Sequence, residues 1–93
     1  MTKAIMNVDD LGNIFFDCIN HADDDSACTI VSTLCNVLVE ACFSEDKEPT
    51  IYNKGHVRID ISGASRETIA VFRTVEKVMA QAAEQHPEHI QIY

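Results

Sequence analysis

One short stretch of this chain gathers side chains suited to nucleophilic chemistry. It runs Asn20-His21-Ala22-Asp23-Asp24-Asp25-Ser26-Ala27-Cys28-Thr29-Ile30-Val31-Ser32. A cysteine sulfur attacks a carbonyl carbon as the thiolate, and the start of a helix favours that form through unpaired N–H donors and partial positive charge. A histidine can accept the thiol proton and later deliver it to a leaving amine. Cys28 stands near the start of an apolar-periodic segment, and His21 stands seven residues before it. A six-residue connection can fold back so that the two side chains meet. Asp25 suits a helix N-cap, where its carboxylate would accept first-turn N–H groups. Ser32 lies one turn beyond Cys28. It could hydrogen-bond beside the thiol, or bond to the carbonyl four residues back, as helical serines do. The backbone N–H of Cys28 could serve as oxyanion donor.

Each residue also has a plainer use. A cysteine in a helix often serves as a small core residue, and a histidine at a strand end often makes a local hydrogen bond. The acidic run Asp23-Asp24-Asp25 can be a solvated capping segment. It lacks the alternating ligands, central glycine and distal glutamate of a calcium loop. Cys18, His21 and Cys28 have zinc-compatible chemistry, but no fourth ligand falls at metal spacing. No metal or cofactor is expected. His56, His86 and His89 read as surface residues without partners.

The elements that would carry these groups follow from periodicity. Thr2 to Val8 reads as a strand, Asp9 to Asn13 as a turn, and Ile14 to Asn20 as a second strand completing a hairpin. Ser26 to Phe43 repeats apolar residues at three- and four-residue steps and predicts a helix. Its stripe holds Ala27, Ile30, Val31, Leu34, Leu38 and Ala41, widened by Cys28, Cys35 and Cys42. Thr50 to Asn53, the turn Lys54-Gly55 and the alternating His56 to Ile61 predict a second hairpin. Ser65 caps a second helix running to about Gln85, with Ile69, Phe72, Val75, Val78, Met79 and Ala82 inward, and Pro87 stops it. His89 to Tyr93 leaves room for a short closing strand. The order is ββαββα, an α+β sandwich with a small antiparallel sheet and two helices packed on one face.

At 93 residues the chain makes a single domain, residues 1–93. Seven basic against 15 acidic residues give a net charge of −8, with no basic run. Direct nucleic-acid binding is not expected, because phosphate contacts need clustered Lys and Arg. A basic protein partner would be drawn to such a surface. No apolar run approaches a membrane span, and the first residues carry no signal-peptide pattern, which points to the cytoplasm. The four cysteines show no C-x-x-C pair. Cys28, Cys35 and Cys42 recur at seven residues, about 10 Å apart along one helix, too far to bridge, so free thiols are expected. Ile5, Phe15 and Ile19 fall on the sheet face away from the helices. A small core and an apolar outer face suggest a homodimer.

Asn20-His21-Ala22 followed by Asp25-Ser26-Ala27-Cys28-Thr29-Ile30-Val31-Ser32 resembles the ribosomal-processing cysteine protease family, Prp. That family carries Gly-His-Ala after its second strand and Asp-x-x-Cys-x-x-Val-Ser opening its first helix. The ending, Ala83-Glu84-Gln85-His86-Pro87-Glu88-His89-Ile90, is similar to the family's closing Tyr-Pro-Glu-Tyr, and the element order matches over nearly the whole chain. The resemblance implies a cytoplasmic, homodimeric α+β protease with Cys28 as nucleophile and His21 as general base and acid. It implies a substrate that is the peptide extension of a ribosomal precursor, or of a phage structural precursor. Two departures stand out. Asn20 replaces the glycine before the histidine, and the loop between His21 and Cys28 is about five residues shorter than in the family. The shortened loop also admits a catalytically inactive, dimeric interaction module of the same fold.

Overall fold

A computed structural model describes residues 1–19, 25–53 and 55–93; Asp25 and Ser26 are described as helix residues only. The elements are β1 (Thr2–Val8), β2 (Ile14–Ile19), α1 (Asp25–Ser44), β3 (Ile51–Asn53), β4 (His56–Ile61), α2 (Arg66–Gln85) and β5 (Ile90–Ile92). The five strands form one sheet in the order β3-β4-β2-β1-β5. β1–β2 and β3–β4 are the two expected antiparallel hairpins, and β2 joins them by pairing antiparallel with β4. The possible closing strand is present as β5, and it makes the sheet mixed by pairing parallel with β1. The closing strand follows a helix, which carries the chain back over the sheet before β5 pairs with β1.

Strand alternation builds the core. On one face Ala4 pairs with Cys18 and Cys18 with Val57; Met6, Phe16 and Ile59 form the next row, and Val8, Ile14 and Ile61 the third. Every member of these rows is buried except the half-buried Val8. Helix α1 packs Ala27, Val31, Cys35, Leu38, Val39 and Cys42 into the core, and α2 packs Thr68, Phe72, Val75, Met79 and Ala82. Two expected assignments change. Val78 is exposed and Ile69 only half-buried, while Thr68 takes an inward position. Ile30, Leu34 and Ala41 pack at the margin of the core rather than inside it.

By length and composition, Ala27–Ser44 is apolar enough to cross a membrane. Asn36 and Glu40 interrupt it, so the sequence holds no continuous apolar run of that length. The fold uses the segment as a core helix whose buried stripe lies against the sheet.

The ends of α2 follow from local chemistry. Ser65 is the N-cap, its side chain accepting from the Thr68 backbone N–H. Glu45, just beyond α1, accepts hydrogen bonds from the Ser65 backbone N–H, the Ser65 hydroxyl and the Thr68 hydroxyl. One carboxylate thus ties the exit of α1 to the entry of α2. Gly12 fixes a second junction. Its φ is 84°, it accepts from the Ala64 N–H at 3.1 Å, and a Cβ there would lie 2.5 Å from the Ala64 nitrogen.

Candidate functional site

The four thiols fall into two environments. Cys18, Cys35 and Cys42 are buried, at 4%, 6% and 0% exposure, whereas Cys28 is half-buried. Helical periodicity explains the difference. Cys35 and Cys42 sit on the stripe that meets the sheet, and Cys28 lies in the first turn of α1, at the end of that stripe. Cys18 and Cys35 face each other from β2 and α1. A hydrogen bond from the Cys35 thiol holds Cys18 below its ordinary value, and the same bond, with burial, pushes Cys35 up. Burial, and then the charge of Glu45, raise Cys42 to about 11. None of these three sulfurs is open to a macromolecular substrate.

Cys28 Sγ lies 4.0 Å from Ser32 Oγ, on successive turns of the same side of α1. Ser32 is exposed and lies at the mouth of a cleft of about 240 Å³ between α1 and the β3–β4 hairpin. Val31, Cys18, Cys35 and Val57 supply its apolar lining. Ser32, Asn36 and Tyr52 supply polar side chains, and Asn53, Gly55 and His56 border it. Across it the Tyr52 hydroxyl donates to Asn36 Oδ1 at 3.3 Å. This arrangement offers a thiol one helical turn from a groove that can hold a side chain.

His21 lies outside the described residues, together with Asn20 to Asp24. Ile19 closes β2 and Asp25 opens α1, so both elements that flank His21 are in place. Asp25 is the first residue of α1; the capping role of its side chain also lies outside what is described. Among the described residues, no three His, Cys, Asp or Glu side chains cluster as metal ligands.

The sequence reading missed His56. It treated this residue as partnerless, but His56 Nε2 lies 2.6 Å from Asp17 Oδ1, while Asp17 Oδ2 accepts from Arg58 at 3.2 Å. Partial burial works to raise the Asp17 carboxyl, yet the Arg58 and His56 hydrogen bonds hold it below the ordinary carboxylate value. Strand alternation puts Asp17, His56 and Arg58 all on the outer face of the sheet. Their contact depends on the pairing of β2 with β4, which places Asp17 opposite Arg58 and Ile19 opposite His56.

No family model matches the sequence, and no curated protein matches it. Solved structures do. The class defined by this fold is a small α+β domain with a mixed five-stranded sheet and two helices packed on it. It is the fold of the ribosomal processing protease Prp. The essential Prp from S. aureus, in complex with a covalently linked product peptide, superposes with a TM-score of 0.80 at 21% identity, over 99% of this chain and 97% of that one. The same S. aureus protease with a substrate peptide gives 0.78 at 18% identity, over 100% and 98%. SMU.848 from Streptococcus mutans gives 0.77 at 22% identity, over 99% and 91%.

Proposed function

We propose that this chain is a cysteine endopeptidase of the ribosomal-processing type and a member of the Prp family. Cys28 is its nucleophile and His21 its general base and acid. The observation that carries this reading is the position of Cys28, half-buried in the first turn of α1 while the other three thiols are in the core. The fold supports it, since the similar S. aureus protease is described with a covalently linked product peptide.

The reaction runs through an acyl-thioester. Cys28 Sγ attacks the scissile carbonyl carbon as His21 takes the thiol proton. The oxyanion is stabilised by N–H groups at the start of α1, the Cys28 N–H among them. Collapse expels the amine, which takes the proton from His21. Water, deprotonated by His21, then attacks the thioester carbon and frees Cys28 and a carboxylate. The substrate is the N-terminal extension of a ribosomal or phage structural precursor, whose basic character suits a net charge of −8. The protein works in the cytoplasm as a homodimer through the outer sheet face, where Ile5, Phe15 and Ile19 are half-buried in the monomer.

The test is incubation with candidate ribosomal and capsid precursors beside Cys28→Ser and His21→Ala. A cut made by the unaltered protein and lost in both variants supports the dyad. Precursors bound but left whole by every form would make the chain the inactive interaction module.

A further inference from the structure

Cys28, Ser32 and Asn36 recur at four-residue steps and so run along one flank of α1. Asn36 stands two turns beyond Cys28, about 12 Å along the helix axis. That flank faces the β3–β4 hairpin, since Ser32 and Asn36 line the cleft together with Tyr52 and Val57. Tyr52 pairs with Val57, a core residue, so its side chain is on the helix-covered face of the sheet. From there its hydroxyl donates to Asn36 Oδ1 at 3.3 Å. The bond spans the cleft from β3 to α1 and closes the end farther from Cys28.

The interior of this cleft is uncharged. Its floor is Cys18, Val31, Cys35 and Val57, all buried. Among the described residues that line it there is no Asp, Glu, Lys or Arg, in a chain with 15 acidic and seven basic residues. An unpaired charge carried onto such a floor would lose its hydration with nothing to replace it. A cavity of about 150 Å³ can hold benzene. The cleft, at about 240 Å³, therefore has room for one large apolar side chain.

We propose that Tyr52 and Asn36 are specificity-determining residues: their hydrogen-bonded pair ends the cleft and sets the length of the uncharged side chain that a substrate seats there while its backbone passes Cys28. This rests on the reading of the chain as a protease with Cys28 as nucleophile. Neither residue touches a reacting atom; the pair acts on which side chain fits.

The experiment uses the full chain and a series of N-alkyl chloroacetamides with tails from methyl to octyl. Each alkylation forms a sulfur–carbon bond, expels chloride and releases the thiol proton to solvent. Peptide mapping reads the rate at Cys28, divided by the rate of chloroacetamide itself with the same protein, so that changes in the sulfur drop out. The relative rate should climb with tail length and then fall at least ten-fold once the tail meets the pair. In Tyr52→Ala the fall should move to longer tails. Tyr52 is 55% exposed, so the fold survives this change. Tyr52→Phe and Asn36→Ala keep the ring and lose its hydrogen bond, and each should shrink the fall about 5-fold, the worth of that bond. An ammonium in place of the terminal methyl should slow the best tail ten-fold or more, despite the net charge of −8. The inference is overturned if tail length has no effect, if Tyr52→Ala leaves the length limit where it was, or if the ammonium tail reacts as fast as its methyl counterpart. The same series on Ser32→Cys in a Cys28→Ser background reads the cleft through a thiol at its mouth. A Cys28 inert to every probe, with the length limit intact in that second protein, would sink the protease reading and keep the limit set by Tyr52 and Asn36.

Discussion

Cys28 Sγ and Ser32 Oγ lie 4.0 Å apart, and that contact joins the first turn of α1 to the cleft between α1 and the β3–β4 hairpin. A peptide whose side chain occupies the cleft would pass its backbone close to the sulfur. The other three thiols are buried between the sheet and α1.

That separation predicts a selective label. A limiting dose of iodoacetamide should add one group, and peptide mapping should place it on Cys28. In His21→Ala the labelling should slow by an order of magnitude or more if the imidazole takes the thiol proton. Four thiols reacting together only on unfolding would show that Cys28 is no more reactive than its buried neighbours.

Ser32→Ala removes the hydroxyl beside the sulfur and leaves the helix intact. Because alanine is the better helix former, thermal stability should hold or rise by a few tenths of a kcal/mol. Any fall in the Cys28 alkylation rate then reports the hydroxyl itself. An unchanged rate would make Ser32 a residue of the cleft wall alone.

Glu45 predicts how stability depends on acid. Its carboxyl is held at about 2, against an ordinary 4.5, by hydrogen bonds from Ser65 and Thr68. As the pH falls below 4.5 the unfolded chain takes up this proton first, while the folded chain resists until about 2. The contribution is complete above 4.5 and is lost progressively between those values. Denaturant midpoints at pH 6 and pH 3 should differ less in Glu45→Gln than in the unaltered protein. Ser65→Ala, which loses the cap, should cost about 1 kcal/mol at neutral pH.

Gly12→Ala should destabilise the fold by about 1–3 kcal/mol. The residue adopts a positive φ, and the added carbon would meet the Ala64 backbone. Phe72→Ala, at a side chain with no exposure, should cost about 3–5 kcal/mol through the cavity it leaves. Urea unfolding measures both, and near-neutral values would contradict the packing described.

The elements and their inward faces could be read from residue order because they depend on near neighbours. Alternation set β1, β2 and β4, the threefold and fourfold spacing set both helices, and Ser65 with Pro87 bounded α2. Cys28 was singled out on the same local ground, as the thiol nearest a helix start. Long-range pairing left no such trace. Nothing in Asp17, His56 and Arg58 as letters says that β2 lies beside β4, yet that pairing alone brings the three together. The parallel seat of β5, the inward turn of Thr68 and the exposure of Val78 likewise arise from how the layers meet. Periodicity assigns a side chain to a face; only the assembled sheet and helices determine what stands opposite it.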